Sequence, residues 1–567
     1  MVNNSNSKRN GVIVYALLLT TAFSFRVAVA RWLPHEEPVD SQVYAQLARN
    51  LIEQRVYSPA LDPPYEPSFL RVPGYPFFLA GVYSLFGMEN NAAVRVVQAV
   101  VDTVSCGLIA LIAFLWEPDR KRKRLTAIAA LALATFCPFT AIYVATVLPE
   151  TLTILFSLAM VLTATLAFNA ITQRKVALWW SVCGLLAGAG ALVRPDSGLF
   201  AAAIGITLVI ITIARASGAS FTSRRDEILF RVARASVLVA LFSLAFCVAL
   251  VPWTLRNHRV FRVFQPLAPA YAAMPGEFVP RGYFSWLRTW VDDTRYVGPM
   301  IWGLNEFPIK LEDIPDKAFD TPEEKLRVAT LLEKYNQAQS PDLITDDDGA
   351  SPDPSPSEEP GESTDETEPD QEMEQSDEPV EPDPDETSGA EPGDAPGDSD
   401  ESTDRAPAQM SQMTPEIDAG FARIAKERIA RKPFRHYLLL PVRRGVSLWF
   451  DTHSQYYPFE GELLPFQNLD AKSQQQIWLP LFAGLTFLFT VLGILGGRRL
   501  WTSGEFEARQ WLLLATLLIF VRIAYFATLE NPEPRFTVEL FPFLAILGGI
   551  ALTSILNEIT SRAGRRR

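Results

Sequence analysis

The sequence predicts an all-α polytopic membrane protein. It should have about 10 or more transmembrane helices, juxtamembrane helices in the first outer loop and a small extramembrane cap. Three observations predict this. The 567-residue chain is 49% hydrophobic. It repeats apolar runs near the length at which an α-helix crosses a ~30 Å hydrocarbon core. Lys and Arg gather in alternate connections, as cytoplasmic loops do.

Taken in order, Lys8 and Arg9 precede an apolar run from Gly11 to Ala30. Further candidate spans fall at 92–116, 125–147, 150–171, 176–194, 196–214, 235–254, 476–496, 510–529 and 537–557. With the N-terminus inside, Lys/Arg bias places Arg120 to Arg124, Arg174-Lys175, the stretch 215–234, Arg498-Arg499 and Arg565 to Arg567 in the cytoplasm. The opposite face then receives loop 31–91, the turns at Pro149-Glu150 and Arg194-Pro195-Asp196, segment 255–475 and the turn 530–536. The run from Pro73 to Gly87 is too short to span upright, and counting it as a span would invert every later loop. It reads as a helix lying on the membrane surface. His436 to Phe450, interrupted by Pro441, Arg443 and Arg444, reads the same way.

The first outer loop carries Glu36, Glu37 and Asp40 close to the first span. Tyr44, Leu47, Ala48 and Leu51 follow at helical spacing, which predicts a helix over 41–53. The long outer segment has several parts. Residues 255–340 mix aromatics, Pro and charge, with Trp286, Trp290 and Trp302, and read as a folded cap. Residues 341–409 are Asp, Glu, Pro, Ser, Gly and Thr with almost no aliphatics. Such a stretch cannot bury enough apolar area to offset chain entropy, so it is expected to be a disordered acidic insert. A helical pattern resumes over 416–432. The predicted organisation is therefore a transmembrane module over 1–254, the cap, the insert, a juxtamembrane segment over 410–475 and C-terminal spans over 476–567.

The net charge of −13 is dominated by the insert, because residues 341–404 hold 26 of the 64 acids and no Lys or Arg. The other 38 acids face 51 Lys and Arg, a balance of +13. A basic remainder suits cytoplasmic membrane loops and does not indicate a nucleic-acid partner. Cys106, Cys137, Cys183 and Cys247 all lie in apolar runs without Cys-x-x-Cys pairing, so they read as packing residues. His35, His258, His436 and His453 are scattered and show no metal-ligand spacing. There is no Gly-rich phosphate loop, so neither ATP nor a nucleotide-sugar donor is indicated.

Asp40, Tyr44, Ala48 and Leu51 form an Asp-x-x-x-Tyr-x-x-x-Ala-x-x-Leu pattern. It is followed by Arg71-Val-Pro-Gly-Tyr-Pro, the short apolar run and Phe86-Gly87. Leu148 to Thr151, Pro252 to Asn257 and Pro532 to Phe536 come later, on the same predicted side. In that order the motifs resemble the GT-C membrane glycosyltransferases. The nearest group is glycosyltransferase family 39-like, which includes the protein O-mannosyltransferases and the lipid A aminoarabinose transferases. The resemblance covers nearly the whole chain outside the insert. It implies an uncleaved first helix, although Ala28-Val29-Ala30 has the look of a signal-peptidase site.

The resemblance implies a polyprenyl-phosphate-linked sugar as donor, and an acceptor of protein, lipid or glycan type on the extracytoplasmic side of a bacterial inner membrane. Such a transfer needs a carboxylate to take the acceptor hydroxyl's proton and cations to hold the leaving phosphate. The resemblance makes Asp40 the base. The residues alone also allow Asp40 to be the N-cap of the helix that follows. Arg71, Arg256 and Arg535 are the phosphate-binding candidates, with an ordinary salt bridge as the other reading of Arg71. Glu150 is a second catalytic candidate, though an acid at a helix N-terminus is favoured by the dipole without any function. Glu36 and Glu37 are fallback bases. Tyr44, Glu37, Tyr75, Asn257 and Glu533 support the site. Arg194 and Asp196 read as a turn pair concerned with packing.

The aminoarabinose branch has Lys where Arg71 stands, with an acid directly beside it. Here Phe69 and Leu70 precede Arg71, so neither that sugar nor a divalent metal is indicated. The family's Tyr after the last Arg is Phe536 here. Two other classes of function compete. A lipid or sugar transporter, or a flippase, would show internal repeats or matching broken spans, and no such symmetry is seen. A structural protein using its acidic insert to recruit a partner would lose its function when 341–409 is removed.

Overall fold

The structure, a computed structural model, describes residues 2–33, 38–215, 223–274, 276–338, 412–451, 456–457 and 473–565. Among these residues all regular secondary structure is helical. The acidic insert, Glu36 and Glu37 lie outside them.

α1 (Val2–Trp32) is followed by the two short helices of the first loop, α2 (Val39–Glu53) and α3 (Gly74–Phe86). α4 (Asn91–Trp116) is a full span. The candidate span at 125–147 is broken into α5 (Lys123–Thr135) and α6 (Pro138–Ala145), with a bend of 50°. Pro138 causes the break: it has no N–H to continue α5 but suits the first turn of a new helix. A break inside a membrane frees carbonyls that lipid cannot satisfy. Arg26 of α1 supplies the donors, bonding Thr135 O at 2.7 Å and Ala134 O at 2.9 Å. Its charge is balanced by Asp102 of α4, 2.5 Å away.

α7 (Glu150–Asn169), α8 (Gln173–Val193), α9 (Gly198–Ala214) and α10 (Arg224–Phe261) complete the N-terminal bundle. α10 is longer than its apolar stretch, because Ser223 caps it and the charged residues 224–234 propagate the helix. Apolar faces gain little by leaving lipid, so helix pairs here rest on close approach and polar contacts. α8 and α10 meet through Gly184-x-x-x-Gly188. A Cβ on Gly184 would lie 2.2 Å from Phe242 O, and one on Gly188 2.5 Å from Phe246 O.

The cap contains α11 (Arg281–Leu287), α12 (Pro322–Gln337) and α13 (Pro415–Arg431), and α14 (Leu440–Phe450) follows. Tyr283, Trp286 and Trp290 share one buried core with Val328 and Leu332 before the insert and with Ile417 and Phe421 after it. Arg428, nearly buried, pairs with the buried Glu324 of α12. The two sides of the insert thus build a single body. Arg444 of α14 docks it on the membrane bundle by donating to Arg288 O and Val291 O, each at 2.6 Å, and to Ala527 O at 3.5 Å. Arg288 adds an ion pair to Glu530 at 2.5 Å.

α15 (Ser473–Thr502), α16 (Phe506–Ala527) and α17 (Phe541–Arg565) close the bundle, with a 3-10 turn over Pro534–Leu540 leading into α17. The chain therefore has nine helices long and apolar enough to span among the described residues, or ten with the bent pair counted as one span.

Candidate functional site

Asp40 lies in the first turn of α2, but it does not cap it. Pro38 occupies the cap position and no side chain caps the helix. The capping reading is corrected because the carboxylate is engaged elsewhere. Its Oδ1 accepts from Arg71 Nη2 at 2.9 Å, and its Oδ2 lies 3.4 Å from Arg535 Nη1.

Arg71 reaches that position because α3 begins hard against the end of α8. A Cβ on Gly74 would stand 2.6 Å from Leu192 O. Only glycine lets the Arg71–Tyr75 segment approach the backbone that leads into Arg194.

From Asp40 the ion pairs run inward. Arg535 Nε donates to Glu150 Oε1 at 2.6 Å, and Arg194 Nη1 donates to the same oxygen at 3.1 Å. Arg194 also bonds Glu539 at 2.7 Å and pairs with Asp196 at 3.2 Å. Arg522 closes the chain, 2.9 Å from both Asp196 and Glu539. Four arginines alternate with four carboxylates, so charge is compensated along the chain. Exposure separates its ends. The Asp40 and Arg71 side chains are 35% and 31% exposed, whereas Glu150 and Glu539 are at 0%.

The exposed end faces a cavity of about 810 Å³. Asp40, Tyr44, Arg71, Arg194, Asp196, Asn531, Glu533 and Arg535 line it, with Leu267 to Pro269 and Trp302 contributed from the cap side. Tyr44 packs edge-on to Tyr75, and burial pushes its phenol up to about 12, so it stays a neutral hydrogen-bonding group. Burial likewise raises the Glu533 carboxyl above its ordinary value, against the opposing pull of Arg535. Tyr456 is also raised by burial, with Arg535 again opposing.

Glu150 is held by the end of the broken span. The last turn of α6 has free carbonyls. Arg95 donates to Ala145 O at 2.8 Å, and Gln98 donates to Thr146 O at 2.8 Å. Tyr75 in turn donates to Gln98 Oε1 at 2.9 Å, which links the first-loop motif to the segment that carries Glu150.

The structure thus brings together Asp40, Arg71, Arg535, Glu150, Tyr44 and Glu533, with Tyr75 just behind them. It does not bring Arg256 to this group. Arg256 lines a neighbouring apolar cavity of about 590 Å³ with Tyr57, Phe77 and Trp253. There it donates to Ser68 O at 2.7 Å and stands over the Trp253 ring at 4.9 Å. No carboxylate pairs with it among the described residues. Asn257 is fully buried and bonds Gln265 O at 2.8 Å, which fixes the turn after α10. Glu37 lies outside the described residues. Sequence reasoning missed Arg522 and Glu539 and gave Arg194 and Asp196 only a packing role. An ionisable residue inside or beside an apolar span is the signal that finds all four. Among the described residues no three His, Cys, Asp or Glu side chains are grouped to hold a metal ion; Asp40, Glu150, Asp196 and Glu539 are engaged by arginine.

Residues 66–253 match the family model of the dolichyl-phosphate-mannose-protein mannosyltransferases. No curated protein matches the chain. Among solved structures the chain is similar to the archaeal oligosaccharyltransferase AglB from Archaeoglobus fulgidus, in a complex with an inhibitory peptide and a dolichol-phosphate. The identity is 13% and the TM-score 0.46, over 99% of this chain and 52% of that one, so the chain spans about half the length of that protein. Residues 66–253 and the all-helical membrane fold are thus similar to what the resemblance to the GT-C membrane glycosyltransferases leads one to expect.

Proposed function

We propose that this protein transfers a sugar from a polyprenyl-phosphate-linked donor to an acceptor on the extracytoplasmic side of the membrane, with Asp40 as general base. One observation carries the reading. Within the ion-pair chain, Asp40 is the most exposed acid, it lines the cavity, and it sits between two arginines. Arg71 and Arg535 are suited to phosphate oxygens through their planar forks, and an incoming phosphate competes with Asp40 for them. That exchange frees the carboxylate as the leaving group is secured.

In the transfer, the acceptor O–H gives its proton to an Asp40 oxygen. The acceptor oxygen forms a bond to the anomeric carbon as the bond from that carbon to the phosphate oxygen breaks. The electron pair leaves with the polyprenyl phosphate, and the arginines stabilise its charge. A single displacement inverts the anomeric centre. Arg256, free of carboxylates in its apolar cavity, serves the lipid phosphate as it enters, with the prenyl chain against Phe77 and Trp253. Glu150 acts through Arg535, since it is fully buried behind it.

Two observations support the donor class: the family model matched is named for a dolichyl-phosphate sugar, and the cavity wall pairs guanidinium groups with a reachable acid. The extracytoplasmic side rests on Lys/Arg bias. Incubating membranes that contain the protein with radiolabelled polyprenyl-phosphate sugars, and following label into protein, lipid and glycan fractions, tests the function. Label retained wholly in the donor, with each sugar offered, refutes it. Single-cysteine labelling from outside intact cells tests the side: positions in 120–124 should be silent and positions in 38–72 reactive.

A further inference from the structure

The ion-pair chain accounts for eight charged side chains around the cavity and leaves one carboxyl out. Glu533 is 3% exposed and lines the cavity. Among the described residues it has no salt-bridge partner. Its side-chain neighbour is Asn531, which with Arg535 opposes the rise that burial imposes on its carboxyl. The Oδ1 of Asn531 is itself buried and has no hydrogen-bond partner. A buried acceptor left in this state costs about 1–3 kcal/mol, and a buried carboxyl without a direct ion pair is costly as well. Glu533 makes no side-chain cap on the 3-10 turn that follows it.

We infer that Asn531 and Glu533 form the edge of the cavity that reads the hydroxyl groups of the transferred sugar. The inference rests on the proposed transfer reaction and adds to it the part of the site that sets sugar specificity. A sugar hydroxyl supplies the missing donor to Asn531 Oδ1, and a second hydroxyl exchanges a hydrogen bond with Glu533. The placement follows from the chain. Glu533 is extended, and Arg535 comes two residues later. Pro534 opens the 3-10 turn, so the two backbones stand at most roughly 7 Å apart, within about one pyranose ring of a phosphate held at Arg535. Trp302 lines the same cavity and offers an apolar face to the C–H side of a sugar ring. A lipid tail would leave both acceptors unsatisfied, and the acceptor substrate has its own required place at Asp40.

The test is a ratio of affinities, measured on the full-length protein in detergent. Polyprenyl phosphate without sugar is compared with polyprenyl-phosphate mannose and polyprenyl-phosphate glucose, for wild type, Asn531→Ala and Glu533→Gln. In the wild type one sugar-bearing lipid should bind more tightly than the bare phosphate. Each variant should lose about tenfold of that advantage, as expected for a hydrogen bond to a buried polar group, while bare polyprenyl phosphate binds as before. Unchanged ratios would overturn the inference. So would an equal loss for the bare and sugar-bearing lipids, which would make the pair structural. If the wild type binds all three lipids equally, the sugar edge is refuted while the phosphate site stands. If it binds none, the transfer reading itself fails and the inference falls with it.

Discussion

Replacing Glu150 with glutamine separates a positioning role from a chemical one. Glu150 Oε1 accepts from Arg535 Nε at 2.6 Å and from Arg194 Nη1 at 3.1 Å. Its Oε2 is buried without a partner. A glutamine can therefore keep its oxygen toward both arginines and place its amide nitrogen where nothing is displaced. The hydrogen bonds survive, but they change from charge-assisted to neutral acceptors. Arg194 still has Glu539 at 2.7 Å, so most of the loss falls on Arg535, whose remaining acid is Asp40 at 3.4 Å. Charge-assisted bonds are roughly twice as strong as neutral ones, so the change should cost about 1.5–2 kcal/mol. Carried into the geometry of Arg535, this is roughly a 10- to 30-fold loss of donor affinity. The assay is equilibrium binding of the polyprenyl-phosphate donor, alongside single-turnover transfer at saturating donor. Affinity should fall, and the saturated rate should change little. Wild-type affinity together with wild-type transfer would refute the positioning argument. A collapse of the saturated rate at unchanged affinity would put Glu150 in the chemistry.

Gly74→Ala should abolish most transfer, because its Cβ would stand 2.6 Å from Leu192 O and the Arg71 segment must retreat; activity of the folded variant checks it. Gly188→Leu should reduce the yield of folded protein on size-exclusion chromatography, since α8 and α10 must part by roughly 1 Å or more before even a Cβ fits. Arg26→Met strands Asp102 and the carbonyls at the α5–α6 break, and should lower stability by about 3–5 kcal/mol; the double change Arg26→Met with Asp102→Leu should recover part of it in a thermal-unfolding assay. Deleting 345–405 should leave folding and transfer nearly intact, because the cap core is built from residues on both sides of it; loss of folded protein would show otherwise.

Much of the fold was legible because span length and Lys/Arg bias are set by the bilayer itself. The short apolar run at 73–87 and the helical pattern at 416–432 both became helices, α3 and α13, within about a residue. The break at Pro138 was hidden because proline sits there inside an apolar run that hydropathy treats as continuous. The reach of α10 beyond its apolar stretch was hidden for the opposite reason, since charged residues extend a helix without adding hydropathy. At the candidate site, the motif names Asp40 and Arg71 as candidates, but their mutual pairing requires the close approach at Gly74 that no spacing reveals. Glu539 and Arg522 come together from the 3-10 turn before α17 and the interior of α16, with Asp196 and Arg194 from the turn after α8. That is a long-range meeting, and sequence could only flag each as a charge in or beside a span. Arg256 shares the predicted side of the membrane with Arg71 yet faces another cavity, because its guanidinium is drawn over Trp253 and to Ser68 O.

The central claim is that Asp40 takes the acceptor's proton. Since Pro38, not Asp40, stands at the start of α2, Asp40→Asn removes no cap, and asparagine keeps the size and shape of the side chain. Single-turnover transfer by Asp40→Asn, with the polyprenyl-phosphate sugar that serves the wild type bound in advance, is the direct measurement. The account predicts a loss on the order of 10²-fold or more in the transfer step, with donor still bound and the protein folded. Transfer at near the wild-type rate would contradict it and would move the base away from Asp40.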